Sequence, residues 1–378
     1  MEKIIIRAFG DKNWIGGIYY SRNIVFQLMQ NKHLSDRLVV FTSFENRHLF
    51  DFAKEKICVI TCKGRGKREN NLELLRYLIK HKGGYLYPGP RLEKIPNFIK
   101  RCFGIKPIMW IPDFQHNYFP EFFSEKQLIN RTLEFEYKGN NRAPLILSSN
   151  DSMNDFRRFY SQTKRNVYVM PFVSYIEDII YKIEQNEYGI LEKFNLNGKK
   201  YACIMNQFWQ HKNHKIVLEA LKKYFTKNPH SEYIYVFTGR MSDERNQKYI
   251  EEIKSLFNDS ILSGHICLLG FIAREEQIAI MKNAEYIIQP SLFEGWGTVV
   301  EDAKVLDKTI ILSDLSVHRE QKNEKCILFD PLNSDELEQI LEQENEIDHQ
   351  CDIRNGLKKM YNYAERYSKV FERVIEEY

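Results

Sequence analysis

The 378-residue chain has no apolar run approaching the roughly 20 residues needed to cross a bilayer, so any membrane contact is expected to be peripheral. Its start, Met1-Glu2-Lys3-Ile4-Ile5-Ile6-Arg7, has too short an apolar stretch for a secretory leader and is expected to form a buried first strand. Seven cysteines are scattered along the sequence. Cys58 and Cys62 have no second pair at matching spacing, which argues against a zinc cluster or a disulfide scaffold and for a reducing cytosol. Nothing in the chain calls for a cofactor. The balance of 55 Lys+Arg against 51 Asp+Glu leaves +4, too mild for nucleic-acid binding. There is no internal repeat and no low-complexity tract.

What is present suits a soluble globular protein: 43% hydrophobic and 28% charged residues, in a chain long enough for two cores. The charge is locally uneven. Lys63-Gly64-Arg65-Gly66-Lys67-Arg68 is a basic glycine loop, followed by Lys80, Lys82, Lys94, Lys100, Arg101 and Lys106. A solvated face is one reading; an anionic membrane surface or a lipid-diphosphate acceptor is the other.

Short apolar stretches alternate with helical patterns. In the second half strands are expected at 201–205, 233–237, 266–269, 286–288, 309–312 and 326–329, with helices at 215–224, 247–257 and 274–283. The first half shows strands near 3–8, 38–41, 57–61, 85–87, 108–111 and 145–148. This alternation predicts an α/β fold with parallel sheets wrapped on both faces. The expected division is 1–172, 173–357 and a C-terminal helix at 358–378, with a charged helical stretch at 176–192 after the boundary.

The segment Gln289-Pro290-Ser291-Leu292-Phe293-Glu294-Gly295-Trp296-Gly297-Thr298-Val299-Val300-Glu301-Asp302-Ala303 runs from a short strand through a glycine loop into a helix. A helix that begins where glycines turn N–H groups outward suits a phosphate, and Glu294 offers a carboxylate beside it for hydroxyls. That combination points to a nucleotide-sugar pocket. The segment resembles the signature of the retaining GT-B glycosyltransferases called family 4, in which two acidic residues are separated by seven others. The resemblance implies two Rossmann-like domains facing a central cleft, no obligatory metal, and transfer of a sugar from a nucleoside diphosphate donor to a hydroxyl of a glycan or lipid-linked saccharide. It assigns Glu294 to the donor sugar and Asp302, on a shorter arm than the usual glutamate, to the ribose. It also returns the C-terminal helix to the first domain.

Other positions follow from the same resemblance. Lys212, in the loop after the strand at 201–205, matches the lysine that neutralises the diphosphate, while Gln207 stands near the place of an expected arginine. Arg240, after Thr238-Gly239, is a candidate for the missing charge. Gly270-Phe271-Ile272 resembles the base-binding turn, and Gly16-Gly17, before the apolar stretch 18–29, matches a glycine pair that approaches donor or acceptor. His116, with Asp113 near it, is placed beside the donor sugar by its position after a strand. The Thr298-x-x-Glu301 spacing fits a capping box, and Thr298 is also placed at the diphosphate. Trp296 either stacks on the sugar or fills the underside of its loop; Gly295 and Gly297 belong to the donor loop. Two alternatives share the fold: a nucleotide-sugar epimerase and a non-catalytic nucleotide-sugar-binding subunit.

Overall fold

The computed structural model describes residues 2–9, 15–64, 66–89, 104–161, 164–243 and 245–378. Of the basic series, Arg65, Lys94, Lys100 and Arg101 lie outside the described residues, as do the side chains of Lys67 and Arg68. The chain divides into two compact units, one of Met1–Tyr118, Glu125–Tyr175 and Met360–Tyr378, the other of Phe119–Ser124 and Ile176–Lys359. Each is a Rossmann-like α/β unit with strands paired in parallel.

In the first unit, β1 (Ile4–Ala8), β2 (Leu38–Ser43), β3 (Cys58–Cys62), β4 (Gly84–Tyr87) and β5 (Ile105–Pro107) form a sheet ordered β3-β2-β1-β4-β5. A second sheet, ordered in sequence, contains β6 (Met109–Ile111), β7 (Leu145–Leu147) and β8 (Val167–Val169). Ile108 is the joint between them. Its N–H donates to Leu86 O at 3.0 Å, whereas the next N–H, of Met109, donates to Pro144 O at 2.8 Å, so the chain changes partner strand in one residue. β5 and β8 are the two strands that pattern alone misses. Each is three residues long, one ending in proline and the other following Lys164-Arg165-Asn166.

The C-terminal helix, Ile353–Glu376, carries a buried stripe at Met360, Ala364, Ser368, Phe371 and Ile375. These positions recur every three or four residues, the period of one helical face. Phe371 meets the Tyr87 ring edge-on at 5.3 Å, and Tyr168 Oη donates to Glu377 at 2.6 Å. These contacts hold the end of the chain within the first unit.

The second unit has one sheet: β9 (Tyr201–Met205), β10 (Ile234–Thr238), β11 (Ile266–Gly270), β12 (Ile287–Gln289), β13 (Ile310–Ser313) and β14 (Cys326–Phe329), ordered β11-β10-β9-β12-β13-β14. Every residue of β9, β12 and β13 is buried, whereas the edge strands β11 and β14 are mostly half-buried. That gradient explains why the inner strands read as continuous apolar runs, since a strand covered on both faces has no solvent side to keep polar. Helix His214–Lys227 supplies much of the cover through Val217, Leu218, Leu221 and Phe225. Each such side chain contributes about 1.5–3 kcal/mol on burial. The charged stretch at 176–192 folds as two helices, Glu177–Ile183 and Glu187–Lys193, rather than one.

Candidate active site

The order of the second sheet fixes where a ligand can sit. From β9 the chain steps outward to β10 and β11, then returns to β12 on the other side of β9. The loops after β9 and β12 therefore diverge and leave a crevice at the carboxyl ends of those strands, the usual ligand position in open α/β sheets. Lys212 comes from the first loop and Glu294 from the second. Lys212 Nζ lies 2.5 Å from Glu294 Oε1, and the side chains are only 14% and 11% exposed. Gln289 Nε2 and Ser291 Oγ donate to the same oxygen at 2.9 and 2.8 Å, and Asn206 Nδ2 donates to Gln289 Oε1 at 2.9 Å. Burial by itself would raise the Glu294 carboxyl. The Lys212 charge, with weaker help from the Ser291 hydroxyl, outweighs that and holds it below the ordinary carboxylate range. An ionised carboxylate and an ammonium are thus kept ready in one crevice.

The backbone around the pair is tied down. Asn213 adopts a left-handed conformation, φ 55°, and its amide donates to Pro290 O at 3.2 Å and Pro331 O at 2.8 Å. Leu292 N–H donates to His211 O at 2.7 Å. The two loops therefore hold each other in register.

Helix Thr298–Val305 opens with Gly297 as its N-cap and Thr298 as its first residue, so the Thr298-x-x-Glu301 spacing does not form a capping box. Glu301 instead accepts from Gln321 Nε2 at 2.8 Å and Lys304 Nζ at 2.9 Å. The clamp comes from Gln321, whose amide accepts from Gly297 N–H at 3.1 Å and donates to Gly297 O at 2.8 Å. Sequence spacing had no means of finding Gln321, which lies 24 positions away. Gly295 and Gly297 are buried and Thr298 is half-buried at the helix start, where backbone N–H groups lack intrahelical partners. Trp296 is 8% exposed and packs into the loop, which leaves little ring face for a sugar. Asp302 is fully buried, with Arg274 Nη2 at 2.6 Å from its Oδ1. Its carboxylate faces Arg274.

Two further loops, after β10 and β11, join the rim. Gln207 Oε1 accepts the Arg240 N–H at 2.9 Å, and Gly239 N–H donates to Gly270 O at 2.8 Å. Arg240 lies over the Phe271 ring, its Cζ 5.5 Å from the centroid, and Phe271 is 53% exposed.

The first-unit candidates occupy their own sheet. Gly16 and Gly17 fall inside the first turns of helix Ile15–Met29, not ahead of it; Gly16 is exposed and Gly17 buried. His116 follows β6 and is 4% exposed. Its Nε2 lies 2.6 Å from Tyr160 Oη, and its Nδ1 accepts from Arg131 Nε at 3.3 Å, while Arg131 also pairs with Asp113 at 2.6 Å. Burial, reinforced by the Arg131 charge, lowers the His116 imidazole to about 4, so the ring is neutral at pH 7. Any contact with a sugar would require one of these bonds to open.

Sequence reading also missed three histidines packed around the crevice. His318 is wholly buried, its Nδ1 donating to Ser313 O at 2.7 Å, and burial lowers its imidazole. His211 is lowered further by burial and by Lys212. His214 is wholly buried, stacked on Phe208 at 4.1 Å, and lowered by burial to about 3. Its nitrogens make no well-formed hydrogen bond, only a marginal one with the Asn206 backbone.

A pH dependence follows. Below pH about 6.5 the unfolded chain takes up a proton at residue 214 that the folded chain refuses until about pH 3, so stability falls as pH drops through that window. The slope from this one group is about 1.4 kcal/mol per pH unit. His214→Phe keeps the ring stack and removes the titration. Urea unfolding is expected to show equal or greater stability for the variant at pH 7, with a gap over wild type that widens toward pH 4. Parallel stability curves would refute the assignment.

Against known proteins, the family model described as glycosyl transferases group 1 matches residues 190–361, the part of the chain that carries the crevice. No curated protein sequence matches. Among solved structures, the chain is similar to HepE from Anabaena in complex with UDP and glucose, with a TM-score of 0.64 and 15% identity over 100% of this chain and 97% of that one. It is similar to sucrose-phosphate synthase from Thermosynechococcus elongatus, at 0.61 and 13%, covering 100% and 97%. A UDP-forming trehalose-phosphate synthase from Burkholderia xenovorans gives 0.61 and 12%, covering 100% and 99%. At these identities the likeness is one of fold, the GT-B arrangement of two Rossmann-like domains. No helix among the described residues is long and apolar enough to cross a membrane.

Proposed function

We propose that the chain is a glycosyltransferase that takes a hexose from a nucleoside diphosphate donor and transfers it, with retention and without a metal, to a hydroxyl of a glycan or lipid-linked saccharide. The observation that carries this reading is the desolvated Lys212–Glu294 pair at the sheet's switch point, with Glu294 on the loop that leads into helix Thr298–Val305. The family model over the same residues supports it, as do solved neighbours described with UDP or UDP-2-fluoro glucose.

In this reading the bond from the sugar's anomeric carbon to the terminal phosphate oxygen breaks while the acceptor oxygen bonds to that carbon. The acceptor's proton passes to the departing phosphate. Lys212 and the Thr298 N–H offset the charge that grows on the leaving diphosphate. Glu294, held ionised, grips donor-sugar hydroxyls. Gly295 and Gly297 let the backbone approach, with Gln321 holding Gly297 in place. Asp302, held by Arg274, is the candidate for the ribose, and Gly16, Gly17 and His116 are further candidates for donor contact. Work at the cytoplasmic face, with peripheral membrane contact through the basic residues, belongs to the same proposal.

The test is an assay of nucleotide release from a panel of nucleoside diphosphate hexoses with saccharide acceptors, followed by proton NMR of the product. Acceptor-dependent release with the donor's anomeric configuration kept is expected. Turnover of donor without any acceptor points to an epimerase and counts against the proposal, as does an inverted product.

A further inference from the structure

The loops after β9, β10 and β11 are fused into one platform. Gly239, at φ +121°, brings its Cα so close to the β9 loop that a Cβ there would stand 2.1 Å from Asn206 O. Its N–H bonds to Gly270 O, and Gly270 in turn adopts φ +67°. Gln207 then holds the Arg240 backbone at 2.9 Å. On that fixed base the exposed Arg240 guanidinium rests over the half-exposed Phe271 ring.

Charge pairing sets Arg240 apart. On the loops and helix starts that follow β9 to β13, Lys212, Arg245, Arg274 and Arg319 lie 2.5, 2.8, 2.6 and 2.5 Å from Glu294, Asp243, Asp302 and Asp314. Arg240 has no carboxylate partner among the described residues. A guanidinium that rests on a ring keeps its edge, a planar fork of N–H donors, free for acceptors lying in its plane.

Position narrows the ligand. Strands lie about 4.8 Å apart, so the end of β11 is about 14 Å from the end of β12, where Glu294 and the helix start are found. If the diphosphate lies by Lys212, the nucleoside extends toward one sheet edge, and on the β11 side it meets Arg240 and Phe271. We infer that Arg240, seated on Phe271, selects the nucleobase of the donor, donating to bases whose edge carries ring carbonyls, such as uracil and guanine, and discriminating against adenine with its amino group. The inference rests on the donor-site reading above and adds a specificity residue to it. Phe271 provides the flat apolar floor, and the guanidinium provides donors but no acceptor.

The experiment is calorimetric titration of the full chain with UDP, GDP and ADP, for wild type, Arg240→Ala and Arg240→Lys. A good paired contact to a base edge discriminates by about tenfold or more. Wild type is expected to bind UDP or GDP at least about tenfold tighter than ADP. In both variants that preference shrinks to about twofold, with ADP affinity unchanged, because lysine keeps the charge but lacks the fork. Equal weakening of all three nucleotides in Arg240→Ala would overturn the inference by assigning the guanidinium to the diphosphate, and so would an unchanged preference in either variant. A wild type with no preference, or one for ADP, overturns it as well. If wild type binds none of the three, the donor-site reading itself falls; a change confined to the preference tests Arg240 alone.

Discussion

Replacing Lys212 with alanine is expected to slow sugar transfer by about 10²–10³-fold, the loss typical of removing one preorganised group that stabilises developing negative charge. The same change should destabilise the fold, because the Glu294 side chain, 11% exposed, loses the cation that offsets the cost of burying its carboxylate. Breaking a buried pair from one side typically costs about 3–5 kcal/mol, and the residual exposure here argues for the lower end. Adding Glu294→Gln to Lys212→Ala removes the stranded charge, so the double variant should recover much of the stability in urea unfolding while remaining inactive. That split separates the chemistry from the folding. Transfer within tenfold of wild type in Lys212→Ala would remove the lysine from the donor site.

The second large effect is Gly239→Ala. The added Cβ would stand 2.1 Å from Asn206 O and 2.9 Å from Gln207 Cα, both backbone atoms, at a φ of +121° that only glycine tolerates well. Neither partner is a side-chain tip that can swing aside, and strain and overpacking add. A loss of about 3 kcal/mol or more is expected, with weaker nucleotide binding because the β9 and β10 loops must separate. Gly16→Ala is the matched control. Nothing among the described residues lies within 4 Å of its added Cβ, the position is helical, and a gain of up to about 1 kcal/mol is expected. Equal stability of the two variants would contradict the close approach of the loops.

The inner strands of the second unit and Lys212, Glu294 and the glycine loop were legible because each is a local signal. β9 is a run of five buried residues, and the Glu294 loop is a strand, two glycines and a helix start in sequence order. What was not legible depends on residues far apart in the chain. Glu301 has the spacing of a cap, yet Gln321 and Lys304 take its carboxylate, and a residue 20 positions on cannot be inferred from a four-residue motif. Asp302 has the count from Glu294 that the signature asks for, but its partner Arg274 lies 28 positions back and has no local signal. His318 and His214 look like ordinary polar residues in sequence, and only the packing of the crevice wall shows them buried and neutral. β5 and β8 are three residues each, too short to display a period.

The most direct test of the account is a crystal structure of the chain soaked with the nucleoside diphosphate it binds best. The diphosphate is expected within hydrogen-bond reach of Lys212 Nζ and the Thr298 N–H, with the Glu294 carboxylate left facing the space for the sugar. A nucleotide bound away from the ends of β9 and β12, with the Lys212–Glu294 pair untouched, would contradict it.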